Sequence, residues 1–381
     1  MLDAFKDAAN TFITVIEREL DRMIREQYQT ILDIRNALVR AKEKRRVVHT
    51  VGMGRSGLAG RFFADLLKLH GVQASVIGDT LARPVGRGDV VVAFSGSGWT
   101  NTTTLYAEMC IRRGALLIAF TATPKSKLDR LADITLYLPG KPILDSMDYI
   151  VRKIIGKYKS PLAPMGSITE FSALVFGAGI ASTMMTKNPI EDFRLTVNTI
   201  IDVCKNSLQK VLSDITNLRR FIEEYVEAKN LNKTCFFSGL GLLEHISQMI
   251  AIRFQHLGLN VGNVSDWVLR RTGDVLTVIS GSGEAPIPRI LAEEAKKSGM
   301  RILAVIGNEQ STIARLSDIY LILEDIEERR RYFTLGREEF QGFVPAFEIA
   351  SLMIFEAIVA ELANRFGLTE EVMRIRHANI E

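Results

Sequence analysis

The sequence has few cysteines, and the three that are present lie far apart. They are Cys110, Cys204 and Cys235 in a chain of 381 residues. No two of them have the spacing of metal ligands, and so few scattered thiols are typical of proteins from a reducing compartment. We therefore expect three buried, reduced thiols, no metal site, and a cytoplasmic protein.

Long hydrophobic runs are also missing. The longest uncharged apolar stretch lies near residues 172–185, which is shorter than the roughly 20 residues needed to span a bilayer. The first residues, Met1 to Asp7, are charged too early for a secretory signal. These two absences predict that the protein has no membrane partner.

The chain carries little excess charge of either sign. Lysine and arginine total 48 and aspartate and glutamate total 44, which gives a net charge of +4. The basic residues are spread among acidic ones rather than clustered, so no nucleic-acid partner is expected. A length of 381 residues with 47% hydrophobic residues fits two soluble domains with full cores.

What the sequence does have is an apolar strand that leads into a loop of alternating serine and glycine. Val-Val-Ala-Phe at residues 91–94 precedes the first loop, Ser95–Thr100, and a helix is predicted from Asn101. Glycine lets the backbone approach a ligand closely, and a helix N-terminus attracts anions. The hydroxyl groups of Ser95, Ser97 and Thr100 add donors, so the first loop is predicted to bind phosphate.

The same arrangement recurs later in the chain. The second loop, Ser280–Ala285, reads Ser-Gly-Ser-Gly-Glu-Ala and also follows an apolar strand. Ser280 lies 185 residues after Ser95, and Asp318 lies 185 residues after Asp133. A shared register over this distance indicates tandem duplication.

Strand and helix patterns alternate in both copies, and the strands are continuously apolar. This pattern predicts an α/β fold with parallel sheets covered by helices on both faces. We place the boundary between residues 1–188, the first half, and residues 189–381, the second half. Two related units are expected to pack as an internal pseudo-dimer, and a homodimer of the whole chain stays open.

Several short motifs resemble those of the sugar isomerase (SIS) family of phosphosugar-binding domains, and within it those of 6-phospho-3-hexuloisomerases. The family fold is a five-stranded parallel sheet between helices, so the resemblance implies two such units in tandem. It also implies an isomerase that uses no cofactor and no metal and that binds a sugar phosphate. The matching segments are Gly52–Gly57, Gly78–Thr80 with Pro84, the first loop, Leu131–Asp133, Pro164–Ser167 with Glu170, and the C-terminal Arg376–Glu381.

The resemblance also implies roles for individual residues of the first half. Moving a carbonyl along a sugar requires a phosphate anchor, a base and a group that handles hydroxyl protons. Glu170, at the start of an apolar helix, is the expected base, and His377 in the C-terminal tail is the expected proton shuttle. The expected phosphate ligands are Arg55, Ser56, Ser95, Ser97 and Thr100.

The second half lacks part of this set. Leu242 and Leu243 stand where the first half has Arg55 and Ser56, and Ala285 stands at the position of Thr100. We therefore expect one competent site per chain, completed by His377 from the second half. The second site is then vestigial, structural or regulatory, and its residues that correspond to the first site are Ser280, Ser282, Glu284 and Glu348.

One residue departs from the family in the first loop. The family loop usually reads Ser-Gly-Ser-Gly-Glu-Thr, and Trp99 replaces its glutamate, whereas Glu284 keeps a carboxylate in the second loop. The indole removes a charge that we expect near the sugar, which would alter substrate preference or abolish activity.

The preferred function is therefore isomerisation of 3-hexulose 6-phosphate to fructose 6-phosphate through an enediol. Two alternatives stay open: a non-catalytic sugar-phosphate sensor or regulator, and another SIS isomerase that interconverts aldose and ketose phosphates.

Overall fold

A computed structural model gives the fold of the chain. It describes residues 2–140, 167–184, 187–265, 271–325, 343–369, 372–373 and 376. The helices and strands alternate along both halves in the order that the sequence predicts.

The first half contains one five-stranded parallel sheet. Its spatial order is β2-β1-β3-β4-β5, so the strand that leads into the first loop lies at the centre. Every residue of that central strand is buried, which explains its unbroken apolar sequence. The strands are β1 (Val48–Gly52), β2 (Ala74–Val76), β3 (Val90–Phe94), β4 (Leu116–Thr121) and β5 (Ile134–Tyr137).

The second half repeats this sheet with the order β7-β6-β8-β9-β10 and with all strands parallel. Its central strand, β8, leads into the second loop. The predicted fold class, two five-stranded parallel sheets with helices on both faces, is confirmed. The strands are β6 (Thr234–Ser238), β7 (Asn260–Gly262), β8 (Val275–Ser280), β9 (Arg301–Ile306) and β10 (Ile319–Ile322).

The helices of the two halves also correspond. Each half begins with a pair of helices that precedes the sheet. In the first half the helices are α1 (Asp3–Glu26), α2 (Tyr28–Glu43), α3 (Gly54–Leu69), α4 (Asn101–Arg112), α5 (Lys127–Leu131) and α6 (Ser167–Ser182). In the second half they are α7 (Pro189–Ser213), α8 (Ile215–Asn230), α9 (Leu242–His256), α10 (Pro286–Lys297), α11 (Thr312–Leu316) and α12 (Ala346–Arg365).

Buried aspartates at the strand starts show the duplication at the level of hydrogen bonds. Asp89 accepts backbone hydrogen bonds from Val47 and Gly86. Asp274, its counterpart 185 residues later, accepts them from Thr234 and Arg271 in the same way. Both carboxylates hold the preceding turn against the neighbouring strand, so each is a structural residue.

One continuous hydrophobic core joins the halves. It lies between the inner faces of the two sheets and contains residues from Leu2 to Met373. The first helix, α1, packs on α12 at the far end of the chain, α3 packs on α9, and α7 packs on both α6 and α12. These contacts explain why α6 and α12 have buried apolar residues on every side, and they form the interface of the predicted pseudo-dimer.

The outer face of each sheet has a smaller core of its own, covered by α4 and α5 in the first half and by α10 and α11 in the second. The cysteines Cys110, Cys204 and Cys235 are buried and free, as predicted. Among the residues that the structure describes, no helix is long and apolar enough to cross a membrane. The same residues include no cluster of His, Cys, Asp or Glu side chains that could hold a metal ion.

Candidate functional site

The first loop forms a tight turn between β3 and α4. The Ser95 hydroxyl accepts a hydrogen bond from the Gly98 backbone N–H at 3.1 Å and lies 3.2 Å from the Thr100 hydroxyl. The Ser97 hydroxyl accepts from the Trp99 N–H at 3.1 Å. Three of the predicted phosphate ligands therefore lie together at the N-terminus of a 12-residue helix, where backbone dipoles favour an anion.

Gly98 gives the loop its shape. Its φ is +67°, in the left-handed region that glycine adopts without strain. A Cβ atom there would lie 2.5 Å from Cβ of Ser126, the residue that caps α5. The Leu128 N–H donates to the Gly98 carbonyl at 3.0 Å, so the first loop is fixed from below by α5.

The second loop has the same backbone. Gly283 has a φ of +66° and its N–H donates to the Ser280 hydroxyl at 3.1 Å, and the Ser282 hydroxyl accepts from the Glu284 N–H at 3.2 Å. The two loops therefore differ in side chains rather than in backbone geometry.

Two carboxylates lie against the second loop. A Cβ atom on Gly281 would lie 2.7 Å from Oδ2 of Asp325, and Glu284 Oε1 accepts a hydrogen bond from the Thr312 N–H at 2.6 Å. The equivalent position over Gly96 in the first loop holds the methyl group of Thr169, 3.1 Å from such a Cβ atom. Nearby negative charge opposes the binding of an anion, so the first loop is electrostatically better suited to phosphate.

Trp99 packs against α5. Its ring lies 5.5 Å from the guanidinium group of Arg130 in a cation–π contact. Glu284, its counterpart, likewise approaches the short helix of the second half, through the Thr312 N–H. The side chain at this loop position thus contacts the neighbouring helix in both halves, which explains how an indole can replace the family glutamate.

A cavity of the first half is lined both by predicted phosphate ligands and by the predicted base. The first turn of α3 supplies Ser56, the first loop supplies Ser95 and Gly96, and the first turn of α6 supplies Thr169 and Glu170. Phe94, Phe120 and Leu138 contribute apolar walls. Sequence analysis missed Thr169, because a threonine beside a predicted base carries no signal of its own.

Arg55 contacts carboxylates of the cavity wall. Its side chain is 4% exposed, its Nη1 lies 3.2 Å from Oε2 of Glu170, and its Nη2 forms an ion pair with Glu356. Nη1 also donates to the Ser167 hydroxyl at 3.4 Å. The guanidinium group therefore balances the negative charge of the candidate base, Glu170. The role of Arg55 as a phosphate ligand stays a prediction.

His377 lies outside the described residues, so its role stays a prediction. The preceding residue that the structure describes, Arg376, donates through Nη1 to the His256 carbonyl at the end of α9 at 3.3 Å. Arg253, one turn earlier in α9, donates to Ser167 in the first half. Arg376 is therefore held at the end of α9 from which Arg253 contacts the first half.

The other histidines have structural partners. His49 Nε2 lies 3.4 Å from Asp89, and burial lowers the pKa of His49 despite that carboxylate. Burial likewise lowers the pKa of His70, whose Nδ1 bonds the Leu66 carbonyl.

In the second half, Glu348 is buried in the first turn of α12. It occupies the position that Glu170 has in α6. At the positions of Arg55 and Ser56, Leu242 and Leu243 are buried in the hydrophobic core. The second-half counterparts of Arg55 and Ser56 are thus apolar side chains that pack in the core.

Comparison with known proteins places the chain among sugar isomerase domains. The family model for the SIS domain matches residues 41–151. The chain is 41% identical over 152 residues to an uncharacterized protein of Aeropyrum pernix, covering 40% of this chain and 71% of that protein. It is 32% identical over 178 residues to the 3-hexulose-6-phosphate isomerase of Methylomonas aminofaciens, covering 45% of this chain and 96% of that protein.

The tandem arrangement also has a solved counterpart. The tagatose-6-phosphate ketose/aldose isomerase of Escherichia coli superposes with a TM-score of 0.63 at 14% identity, covering 97% of this chain and 94% of that one. At this identity the match shows the shared fold. Together with the sequence relatives, it establishes that the chain belongs to the SIS-domain family.

Proposed function

We propose that this chain is a sugar-phosphate isomerase that interconverts 3-hexulose 6-phosphate and fructose 6-phosphate. The observation that carries the proposal is the first-half cavity, in which hydroxyl groups of Ser56 and Ser95 and the carboxylate of Glu170 line one space. A relative named 3-hexulose-6-phosphate isomerase, of which this chain covers 96%, supports this choice of reaction.

The phosphate group binds at the first loop. Ser95, Ser97 and Thr100 offer hydroxyl donors there, Ser56 approaches from α3, and the N-terminus of α4 adds backbone N–H groups. In the proposed complex the hydroxyl group of Ser95 turns from its contact with Thr100 toward a phosphate oxygen. The anchored phosphate fixes the sugar carbons relative to Glu170, which supplies the orientation that catalysis needs.

Glu170 transfers the carbon-bound proton. Starting from fructose 6-phosphate, its carboxylate takes the proton from C3, and the electrons of that C–H bond form the double bond of a 2,3-enediolate. The same carboxylic acid then returns the proton to C2, which leaves the carbonyl group at C3. Arg55, 3.2 Å away, favours the ionised form of the base before reaction.

The hydroxyl protons require a second group, and we assign it to His377. It moves a proton from the oxygen on C3 to the oxygen on C2 as the carbonyl group changes place. The anchoring of Arg376 to the end of α9 supports a tail that reaches the first half. With the domain boundary at residues 188 and 189, each chain then has one site that both halves complete.

Solvent exchange in deuterated water tests this proposal. Incubating the protein with fructose 6-phosphate is expected to introduce deuterium at C3, the carbon from which Glu170 takes the proton. Glu170→Gln should abolish the exchange, and Glu348→Gln, its counterpart in α12, should retain it as the matched control. Saturable binding of fructose 6-phosphate without exchange in the unaltered protein would instead identify a sensor.

A further inference from the structure

A buried cluster of charges crosses the boundary between the two halves beneath the first-half cavity. The first half contributes Arg55, Ser167 and Glu170, and the second half contributes Arg253 and Glu356. Glu356 pairs with Arg55 and lies 3.4 Å from Nε of Arg253. The second-half side chains are 1% and 2% exposed, so this cluster is part of the interior.

Ser167 ties the charges together. Its hydroxyl donates to Oε2 of Glu356 at 2.8 Å and accepts from Arg253. Ser167 begins α6, three residues before Glu170, so the cluster fixes the first turn of the helix that carries the candidate base. Hydrogen bonds to charged groups in a buried site are strong and directional.

The duplicated halves do not repeat this arrangement at their equivalent positions. The first-half counterparts of Arg253 and Glu356 are Leu66 and Ala178, and the second-half counterpart of Arg55 is Leu242. Each half thus has charges at positions where the other half has apolar residues. The resulting cluster exists once per chain and faces the cavity that contains the better phosphate loop.

We propose that Arg253 and Glu356 are positioning residues of the isomerase, supplied by the second half, that hold Arg55 against Glu170 and set the charge around the base. This inference rests on the proposed function, in which Glu170 is the base. It gives the second half a specific role in the reaction: a scaffold that tunes the site of the first half.

Arg253 and Glu356 carry opposite charges, and their buried surroundings shift the pKa of each. Burial and the neighbouring Arg55 lower the pKa of Arg253, while Glu356 and Glu170 counteract them. Burial also opposes the charge of Glu356, but the two guanidinium groups outweigh it, so the pKa of Glu356 is lowered. The lowered pKa favours the ionised form of Glu356, and the guanidinium group of Arg253 keeps its proton because arginine is not deprotonated in proteins.

Charged residues on two other described neighbours of α6 lie away from Glu170. Arg35 on α2 bonds the carbonyl of Thr183, and the backbone of Asp192 on α7 bonds Ser182, so both lie at the opposite end of α6. The first helix, α1, packs Phe12 on the face of α6 near the base. Among the described residues, Arg55 thus pairs with Glu170 directly, and Arg253 and Glu356 lie behind it in contact with Arg55 and Ser167.

Two substitutions with neutral side chains should shift the pKa of Glu170 in opposite directions. Glu356→Gln removes a negative charge and frees Arg55 to pair with Glu170 alone, so the pKa of Glu170 should fall by about one unit. Arg253→Gln removes a positive charge and leaves Arg55 to Glu356, so the pKa of Glu170 should rise by about one unit. A residue that only stabilises the fold would not give shifts of opposite sign.

Two measurements report the pKa of Glu170, one by NMR of the carboxyl group and one through the pH dependence of turnover. In protein labelled with 13C at the glutamate side-chain carboxyl, the signal that Glu170→Gln removes gives the pKa of Glu170. The acid limb of the kcat/KM profile for fructose 6-phosphate isomerisation should move with it. Arg253→Lys, which keeps the charge, should restore both to within about 0.3 units of the unaltered protein.

Glu361→Gln is the matched control. Glu361 is another buried carboxylate on α12 and pairs with Arg365, so its loss should affect stability but not the pKa of Glu170. If Glu356→Gln and Arg253→Gln leave that pKa unchanged or shift it in the same direction, the inference is overturned. If the carboxyl signal shifts as expected but no variant or parent turns over substrate, the charge coupling stands and the proposed function fails.

Discussion

Gly98 and Gly283 offer a matched pair of substitutions that separates the structural and the catalytic roles of the two loops. Each has a positive φ, and a Cβ atom on each would collide with a serine that caps the next short helix. Changing either glycine to alanine therefore perturbs the two halves in the same way. Only the first loop is proposed to hold substrate.

The structure gives the size of the expected effect. Alanine in the left-handed region costs about 1–2 kcal/mol. The new Cβ atom also displaces Ser126 or Ser311, whose hydroxyl groups accept from Asp129 N–H at 3.4 Å and from Ala314 N–H at 3.3 Å. Losing such a cap costs about 0.5–2 kcal/mol. Each substitution should thus lower the free energy of unfolding by about 1.5–4 kcal/mol.

Urea denaturation and steady-state kinetics measure the two consequences. We expect Gly98→Ala and Gly283→Ala to lose similar stability, while only Gly98→Ala loses activity with fructose 6-phosphate. Adding Ser126→Gly, which removes the colliding atoms, should recover part of the stability lost by Gly98→Ala. Equal loss of activity in both single variants would refute the assignment of the site to the first loop.

Three further expectations concern stability and thiol reactivity. Glu356→Ala should lower the free energy of unfolding by about 3–5 kcal/mol, because it leaves two buried guanidinium groups without their shared carboxylate; a loss below about 1 kcal/mol in urea would contradict this. Burial opposes the charge of Asp65, but hydrogen bonds from His245 and Lys68 outweigh it and lower its pKa to about 2. Since the folded pKa lies below the unfolded value, ionised Asp65 should contribute about 1 kcal/mol to the free energy of unfolding after solvent screening. This contribution should be present above pH 4 and lost as the pH falls toward 2. Urea titrations of Asp65→Asn and the unaltered protein at several pH values should show it, and a stability difference between the two that stays the same at low pH would argue against it. Burial raises the pKa of Cys235 to about 12, so a thiol reagent at pH 8 should modify it only at the rate of unfolding, and fast labelling of the folded protein would count against the buried position.

The sheets and loops of this protein could be predicted because their signals are local. A continuous apolar run such as β3 indicates a strand buried on both faces, and the common offset of Ser95 and Asp133 from their counterparts revealed the duplication. The short α5 has a local signal too, because the Ser126 hydroxyl caps its N-terminus. Each of these features depends on a few consecutive residues.

The buried cluster could not be predicted in this way. Arg55 and Glu356 are separated by 301 positions and meet only because α3, α9 and α12 pack together around one core. In the sequence, Arg253 and Glu356 look like charged residues on helix surfaces. Trp99 illustrates the same limit: its loop position was clear from the motif, but its contact with Arg130 depends on how α5 lies under the loop.

The position of a carbon label tests the proposed reaction most directly. Fructose 6-phosphate labelled with 13C at C3 should give a product in which that carbon becomes the carbonyl or hemiketal carbon, because the proposed enediolate spans C2 and C3. The signal should appear with the unaltered protein and with Glu348→Gln, and it should disappear with Glu170→Gln. A product in which C3 keeps its hydrogen and C1 becomes the carbonyl carbon, or the absence of any product from the folded protein, would contradict the account.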